Sequence, residues 1–214
     1  MKARISVLLV DDHPVVRQGY RGVLEGGGRI EVRGEAATAA EAFELFCSID
    51  PDVTVMDISL PGLSGIEGMR RILAHAPNAR VLAFSMHEDA IFVRRAMEAR
   101  AAGYVTKASA PRVLVEAVEA VAAGKRYLSH DVAQTLALAA PDGEGTLPGS
   151  LSPREFEVLE LLLQGCTLDD IARKLRINQK TVANHQSAIK QKLGASTTAQ
   201  LVRTAMRLGL VPRG

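Results

Sequence analysis

Several common signatures are missing from this 214-residue sequence, and each absence excludes a class of protein. No apolar run approaches the roughly 18 residues that a membrane span requires, and the first residues lack a signal-peptide pattern. The two cysteines, Cys47 and Cys166, have no metal-ligand spacing, so we expect small buried thiols in a reducing cytoplasm. No P-loop and no internal repeat is present. We therefore expect a cytoplasmic protein, and its 47% apolar and 23% charged residues are typical of a globular protein.

Charge is divided unevenly along the chain. Residues 1–149 carry 16 Lys and Arg against 19 Asp and Glu, a net charge of −3, whereas residues 150–214 carry 10 against 5, a net charge of +5. After Asp170 there are nine basic residues and no acidic one. A basic segment joined to an acidic segment predicts two functions, one of which is the binding of a polyanion. A solvated charged face would give the same bias, so charge alone does not decide the partner.

Short apolar runs alternate with helix-like stretches over the first 125 residues. Near-continuous apolar runs such as VLLV at 7–10 indicate parallel strands that are buried on both faces. We therefore expect an α/β domain with a flavodoxin-like, doubly wound, five-stranded parallel sheet in the order 2-1-3-4-5. The expected strands are Ile5–Val10, Ile30–Glu35, Val53–Met56, Arg80–Phe84 and Gly103–Thr106, and the expected helices are Pro14–Glu25, Ala39–Ile49, Gly65–His75, Asp89–Arg100 and Arg112–Ala123.

A linker and a small all-α segment follow. Residues 141–150, PDGEGTLPGS, are rich in Pro, Gly and Ser and have no apolar period, and the stretch before them has the spacing of a short connecting helix. We assign residues 1–125 to the α/β domain, 126–149 to a linker with a short helix, and 150–214 to a helical domain.

Capping signals predict four helices in the last segment. Two of these helices are joined by a short turn, and the second is basic, which is typical of a helix-turn-helix. The expected N-terminal caps are Ser152 with Glu155, Thr167 with Asp170, and Asn178, and Gly165 is expected to end the first helix. The expected helices after the first are Leu168–Leu175, Gln179–Leu193 and about 197–208.

Polar residues stand at the ends of four predicted strands. Asp11 and Asp12 follow the first strand and Asp57 the third, while Ser85 follows the fourth strand and Lys107 the fifth. In a doubly wound sheet these carboxyl ends share one rim, where ligands bind. Converging carboxylates repel unless a cation lies among them, and hard oxygen ligands suit Mg²⁺. A metal beside a lysine makes a site for phosphoryl oxygens, and one carboxylate can then act as the nucleophile.

The N-terminal segment resembles the receiver domain of two-component response regulators. The match rests on the Asp11–Asp12 pair, the stretch MDISLPGLSG around Asp57, Ser85, and the stretch GYVTK that ends in Lys107. The resemblance implies that Asp57 accepts a phosphoryl group from the phosphohistidine of a sensor histidine kinase. It also implies that the protein catalyses only its own phosphorylation and dephosphorylation.

The same resemblance implies a Mg²⁺ site. Asp12 would be the main acidic ligand, and Asp11 would act nearby and partly through water. Asp57 and the backbone carbonyl of Ser59 would complete the protein's contribution. Taken alone, Asp57 could be a turn residue at a strand end, but the joint placement of matched residues at several strand ends favours the site.

The resemblance also implies a switch. Lys107 and Ser85 would contact the phosphate, and the ring of Tyr104 would move inward as Ser85 is drawn to it. Taken alone, Ser85 could be a loop hydroxyl and Tyr104 a half-buried sheet residue. Ala108 departs from the family, since many receivers have a cis-proline after the lysine.

The third helix of the last segment is expected to have a core face and a polar face. Val182, Gln186, Ile189 and Leu193 form the core stripe at helical spacing. The opposite face presents small polar and amide side chains that suit base edges in the major groove, and nearby lysines suit phosphates. The expected DNA-facing residues are Lys174, Lys180, Thr181, Ala183, Asn184, Ser187, Lys190, Gln191 and Lys192. A helical protein-interaction module is the alternative for this domain.

Residues 151–208 resemble the LuxR-type helix-turn-helix of the NarL/FixJ response-regulator family. The stretches LSPREFEVL, IARKL, TVANH and KLGA carry the match. It implies that residues 183, 184 and 187 read bases, although Ala183 replaces a commonly basic residue. The stretch GKRYLSHDVAQTLAL also resembles the GacA/UvrY-like subgroup.

We therefore expect a cytoplasmic transcriptional regulator that is phosphorylated at Asp57 with Mg²⁺ and binds double-stranded operator DNA as a homodimer. Its expected partners are a cognate sensor histidine kinase and RNA polymerase, with no membrane association. One alternative is a DNA-binding regulator whose receiver acts without phosphorylation. The other is a phosphohydrolase, which Ser59 disfavours because haloacid-dehalogenase-type enzymes have a second Asp at that position.

Overall fold

The computed structural model describes residues 4–61, 63–138, 151, 153–175 and 177–207, and the chain divides into two compact units, 1–139 and 140–214. Residues 139–150 of the predicted linker, and the predicted cap Ser152, lie outside the described residues. None of the helices in the described ranges combines the length and the apolarity that crossing a membrane requires.

The first unit is built around a parallel sheet. Its strands are β1 (Ile5–Val10), β2 (Ile30–Ala36), β3 (Val53–Asp57), β4 (Val81–Ser85), β5 (Gly103–Thr106) and β6 (Tyr127–Leu128). Within the described residues the sheet has six strands in the order β2-β1-β3-β4-β5-β6, and every neighbouring pair is parallel. The doubly wound α/β class is confirmed. The predicted count of five strands misses β6, since a two-residue strand is too short to leave an alternating pattern.

Helices alternate with the first five strands. They are α1 (Pro14–Glu25), α2 (Ala39–Ile49), α3 (Gly65–His75), α4 (Ala90–Glu98) and α5 (Pro111–Ala122). Capping fixes two of the starts, because the side chains of Thr38 and Ser64 accept hydrogen bonds from the backbone N–H groups of Glu41 and Glu67. Pro14 and Pro111 stand in the first turns of α1 and α5, where a missing N–H is no loss.

Burial on both faces explains the apolar strands. All four residues of the VLLV run in β1 are at most 1% exposed. Val7 and Leu9 join a core cluster with Leu24 of α1 and Leu114 of α5, so these two helices cover the same face of the sheet. Each fully buried side chain of this size contributes about 1.5–3 kcal/mol relative to an exposed one.

Residues 126–138, which the sequence assigns to the linker, are folded onto the first unit. β6 extends the sheet at β5, with Tyr127 opposite Gly103 and Leu128 opposite Tyr104. A short helix, α6 (His130–Leu138), follows and contacts α4 and β5. The first unit therefore continues through residue 138 of the described chain.

The second unit has four helices within the residues described. They are α7 (Pro153–Leu163), α8 (Leu168–Leu175), α9 (Gln179–Lys192) and α10 (Thr198–Arg207). The backbone N–H groups of Asp170 and Thr167 bond each other's side chains, both at 3.2 Å, which confirms the expected capping box. The side chain of Asn178 accepts from the N–H of Lys180 at 2.8 Å, which confirms the cap of α9. Gly165 follows α7 with φ +80°, as expected of a residue that ends a helix.

The core of the second unit follows the predicted stripe of α9. Val182, Ile189 and Leu193 are buried and Gln186 is partly buried. The unit also contains a buried acid, Glu155 of α7, which accepts a hydrogen bond from Lys192 at 2.7 Å.

Both cysteines are free thiols, but the expectation that they are buried is wrong. Cys47 is exposed and Cys166 is partly buried. Cys47 lies on α2 next to the buried Phe46, and a step of one residue turns a side chain about 100° around a helix, away from the core face.

Candidate functional site

The carboxyl ends of four strands bring the predicted polar residues to one edge of the first unit. Asp11 directly follows β1, Asp57 and Ser85 end β3 and β4, and Lys107 directly follows β5. Asp11, Asp57 and Ser85 are at most 3% exposed. The position of Asp57 requires a glycine at the start of α3, because a Cβ on Gly65 would overlap the Asp57 carbonyl group.

Lys107 lies between two of the acids. Its Nζ is 2.5 Å from a carboxylate oxygen of Asp57 and 2.5 Å from one of Asp11. Burial alone would lower the pKa of Lys107, but the carboxylates of Asp57 and Asp11 outweigh burial and raise it, so the ammonium stays charged. Burial raises the pKa of Asp57, and the nearby Lys107 ammonium opposes that shift. The predicted convergence of the first and third strand ends is therefore present.

The acidic pair forms the other half of this edge. Atoms of Asp11, Asp12 and His13 lie within 4.8 Å of one another. The backbone N–H of His13 bonds the Asp11 carboxylate at 2.8 Å, while the His13 ring is largely exposed. Oδ1 of Asp12 is buried and has no hydrogen bond among the described residues, although His13 Nδ1 lies 2.9 Å from it. A buried carboxylate oxygen without a hydrogen bond, beside further carboxylates, fits a site for a hard cation.

Ser59 contacts the Asp57 carboxylate through its backbone. Its N–H donates to Asp57 Oδ1 at 2.9 Å, and its hydroxyl lies 3.0 Å from Nε2 of His87. The His87 ring stacks on Phe92, with 4.0 Å between ring centroids. His87 therefore connects the loop after β3 with the loop after β4.

Ser85 and Tyr104 meet at the same residue. The backbone N–H of His87 donates to Ser85 Oγ at 3.1 Å, and the Tyr104 hydroxyl donates to the His87 carbonyl at 2.8 Å. Tyr104 is fully buried, and burial raises the pKa of its phenol. Burial also lowers the pKa of His87.

Ala108 does not displace the lysine. No cis peptide bond occurs among the residues described, and the backbone N–H of Lys107 bonds the Ser85 carbonyl at 2.7 Å. The loop without the family's proline still delivers Lys107 to both acids.

At least three contacting residues were missed from the sequence. His87 is one, and Arg17, whose guanidinium donates to the Asp11 carbonyl and pairs with Glu35 at 3.3 Å, is another. Asp131 of α6 is the third, and it accepts from a hydroxyl of the loop that carries Lys107. Only His87, two residues after Ser85, had a positional signal.

The DNA-facing residues expected on α9 divide by exposure as the helical wheel predicts. Ala183, Lys190 and Lys192 are partly buried. The exposed members are Lys180, Thr181, Asn184, Ser187 and Gln191.

Three of the expected residues have contacts inside the unit. Lys192 pairs with Glu155, and the exposed Lys174 of α8 lies 3.3 Å from the sulfur of Cys166. The Ser187 hydroxyl donates to the Ala183 carbonyl at 3.0 Å. Lys192 is therefore part of the unit's own packing.

The sequence matches two known families, one in each unit. Residues 7–119 match the response regulator receiver domain, and residues 149–205 match the bacterial regulatory proteins of the luxR family. The chain belongs to the LuxR-family response regulators. The family predicted from the sequence is confirmed, and the regulator is a transcriptional response regulator of the two-component type.

Full-length relatives agree with this assignment. The regulator is 41% identical over 212 residues to transcriptional activator protein ExaE of Pseudomonas putida, which covers 97% of this chain and 98% of ExaE. It is 35% identical over 208 residues to response regulator UvrY of Escherichia coli K12, covering 96% and 95% of the two chains. RcsB of Salmonella enterica serovar Typhimurium, solved bound to promoter rprA in the presence of the phosphomimetic BeF₃⁻, has a TM-score of 0.72 at 27% identity, with 94% and 98% coverage.

Proposed function

We propose that a cognate sensor kinase transfers a phosphoryl group from its phosphohistidine to Asp57, and that the regulator then binds operator DNA as a homodimer. In this proposal residues 1–125 receive the signal, and residues 126–149 connect them to residues 150–214. Residues 150–214 bind DNA in the cytoplasm and act on RNA polymerase. The observation that carries the proposal is the Lys107 ammonium, which joins the buried carboxylates of Asp57 and Asp11.

In this proposal Asp57 acts as the nucleophile. A carboxylate oxygen would attack phosphorus, the P–N bond of the phosphohistidine would break, and the leaving imidazole would take up a proton. Lys107 would then exchange one carboxylate partner for a phosphoryl oxygen. Its ammonium is already held by Asp11, so little reorganisation is needed.

The proposed metal ligands are Asp11, Asp12, Asp57 and the carbonyl of Ser59. A bound Mg²⁺ would neutralise the charge that is spread over the phosphoryl oxygens. The buried Asp12 oxygen supports this assignment, because it accepts no hydrogen bond among the described residues and lies beside further carboxylate oxygens, an arrangement that a bound cation would stabilise.

The switch is proposed to run through Ser85, His87 and Tyr104. The Ser85 hydroxyl accepts a hydrogen bond from the backbone N–H of His87. If this hydroxyl moves to donate to a phosphoryl oxygen, either the His87 backbone moves with it or the hydrogen bond from His87 breaks. The His87 carbonyl holds the Tyr104 hydroxyl, so a shift of this loop changes the setting of Tyr104. Phosphorylation biases the equilibrium only by its differential stabilisation of one arrangement.

The exposed face of α9 supports DNA recognition. Thr181, Ala183, Asn184, Ser187 and Gln191 are proposed to face base edges, where an amide can bond adenine bidentately. The proposed phosphate contacts are Lys174, Lys180, Lys190 and Lys192. Two α9 helices one DNA turn apart in a homodimer predict a roughly two-fold operator.

One experiment tests the phosphorylation step. The full-length regulator is incubated with acetyl phosphate and Mg²⁺, and intact mass spectrometry is expected to show one added phosphoryl group. Asp57→Asn and a chelator should each abolish the modification, whereas the exposed control Asp52→Asn should not. A modification that survives Asp57→Asn would remove Asp57 from the proposal.

A second experiment tests the output. The oligomer size and the affinity for duplexes selected from a random pool are measured before and after phosphorylation. We expect a dimer with higher affinity after phosphorylation, and Asn184→Ala should relax the preference at one base position by about 1–3 kcal/mol. Full regulation in cells by Asp57→Asn would favour the alternative in which the receiver acts without phosphorylation.

A further inference from the structure

A carboxylate from α6 contacts the loop that carries Lys107. We call residues 106–109 the Lys107 loop. The Thr106 hydroxyl donates to Asp131 Oδ2 at 2.6 Å, and the Ser109 hydroxyl lies 3.2 Å and 3.3 Å from the two Asp131 oxygens. Thr106 is fully buried and directly precedes Lys107. The Asp131 carboxylate of α6 therefore contacts the first and the last residue of the Lys107 loop.

The backbone strengthens this junction independently of the side chain. The N–H of Ser129 donates to the Tyr104 carbonyl at 3.1 Å, and the N–H of Tyr127 donates to the Ala102 carbonyl at 3.2 Å. β6 is thereby paired with β5 at the residue proposed as the switch. The segment before α6 is fixed to the strand that carries Tyr104.

The Asp131 carboxylate is stabilised in its charged form. Its partial burial would raise its pKa, but the hydrogen bonds, with that from Thr106 the strongest, outweigh burial and hold the pKa below the usual range. Hydrogen bonds to an ionised acceptor are shorter and stronger than neutral ones, in keeping with the 2.6 Å contact.

We propose that Asp131 is a positioning residue of the phosphorylation site. It holds the Lys107 loop and couples this loop to α6, so that the effect of phosphorylation is transmitted from the site through α6. This inference rests on the proposed phosphorylation of Asp57. When Lys107 exchanges a carboxylate for a phosphoryl oxygen, any shift of the Lys107 loop strains or relaxes the Asp131 contacts at the start of α6. The chain runs from α6 directly into residues 139–150 and then to the second unit.

Thermodynamic linkage makes the coupling reciprocal. If the phosphoryl group changes the stability of α6, then any restraint on α6 must change the free energy of phosphorylation by the same amount. Loss of the Asp131 contacts should therefore alter the exchange of α6 amides and the free energy of phosphorylation. Because Lys107 would contact the phosphoryl group, we also expect a displaced Lys107 loop to change the rate at which that group is lost.

The test uses the full-length regulator and three substitutions. Asp131→Ala removes the acceptor, and Thr106→Val removes the donor while keeping the shape of the side chain. Glu116→Gln is the matched control, because Glu116 accepts a hydrogen bond from the Tyr127 hydroxyl of this segment at 3.5 Å, away from the Lys107 loop. Hydrogen-exchange mass spectrometry follows peptides that cover 127–138, with and without acetyl phosphate and Mg²⁺, and decay of the added mass gives the phosphoryl half-life.

In the wild type, phosphorylation is expected to change the exchange of the α6 peptides. In Asp131→Ala and Thr106→Val, Asp57 should still be phosphorylated, but the exchange of α6 should no longer respond. The half-life should change about fivefold, as expected for the loss of one hydrogen bond that positions the Lys107 loop. Asp131→Asn, whose amide oxygen still accepts, should retain part of the response, and Glu116→Gln should behave as the wild type.

Two outcomes separate the inference from the proposed function. The inference would be overturned, and the proposed phosphorylation would stand, if Asp131→Ala and Thr106→Val both kept the wild-type half-life and the wild-type change in α6 exchange on phosphorylation. A wild type that takes up no phosphoryl group at Asp57 would overturn the proposed function, and the inference with it. Should Asp131→Ala fail to fold, the shape-conserving Thr106→Val decides between these outcomes.

Discussion

The two units place their candidate functional residues in opposite settings. In the first unit the side chains of Asp11, Asp57 and Lys107 are at most 7% exposed, so charges meet at short range in a medium that screens little. In the second unit, Lys180 and Asn184 of α9 are exposed to water and to salt. A substitution in the first unit should therefore change folding and function together, whereas one on α9 can change binding alone.

The sharpest test of this contrast is Lys107→Met. It leaves two buried carboxylates without their shared cation, and we expect the first unit to lose about 3–5 kcal/mol of unfolding free energy. Hydrogen exchange during a urea titration, read in peptides of β3 and of α9, separates the two units. The exposed Lys180→Met should stay within about 0.5 kcal/mol of the wild type.

The pH dependence of this variant has a definite sign. Burial raises the pKa of Asp57 in the folded protein, and removing Lys107 removes the opposing influence. A carboxyl group whose folded pKa exceeds its unfolded pKa binds its proton better when folded, so stability falls as pH rises through that range. The deficit of Lys107→Met should therefore shrink between neutral and mildly acid pH. A deficit that is independent of pH would contradict the unpaired-charge explanation.

Glycine substitutions give the next largest contrast. A Cβ at Gly65 would overlap the Asp57 carbonyl, so Gly65→Ala should destabilise the first unit by about 1–3 kcal/mol and slow phosphorylation by displacing Asp57. Gly165 has φ +80°, and no atom of the described residues lies within 4 Å of its Cβ position, so Gly165→Ala should cost about 1 kcal/mol through backbone strain alone. Thermal unfolding and acetyl phosphate uptake measure the two effects. Equal phosphorylation rates in the wild type and Gly65→Ala would show that α3 does not set the position of Asp57.

The same contrast explains what the sequence could predict. Strands and helices such as β1, α2 and α8 were predicted to their end residues, because apolar period, caps and prolines act locally. The convergence of Asp11, Asp57 and Lys107 followed from topology, since the carboxyl ends of parallel strands share an edge.

Contacts that depend on loop conformation and side-chain rotamers were not predictable. Three such contacts join residues from separate elements: His87 with Ser59, Arg17 with the Asp11 carbonyl, and Asp131 with Thr106. The position of His87 just after Ser85 places it near the site, but no periodicity or spacing predicts which partner each of these residues bonds. The pairing of Lys192 with Glu155, 37 residues apart, is of the same kind.

Lys192 lies between the two settings and should have an intermediate effect. Its side chain is 33% exposed and its partner Glu155 is 8% exposed, so Lys192→Met should cost the second unit about 1 kcal/mol, well below the cost at Lys107. Glu155→Gln should cost a similar amount. If Lys192 also contacts a phosphate, Lys192→Met alone should reduce the salt slope of DNA binding, by about one. An unchanged slope would restrict Lys192 to packing.

The smallest effect on stability, and the cleanest effect on binding, is expected for Lys180→Gln. Lys180 lies in the first turn of α9, where its side chain is exposed. Its loss should leave the unfolding free energy within about 0.5 kcal/mol of the wild type. Binding to a random-sequence duplex, measured over a range of salt concentrations, should weaken uniformly, with a log–log slope reduced by about one. Because this change would remove a proposed phosphate contact without touching a buried charge, a measurable loss of stability would show that the exposed face of α9 is not independent of the fold.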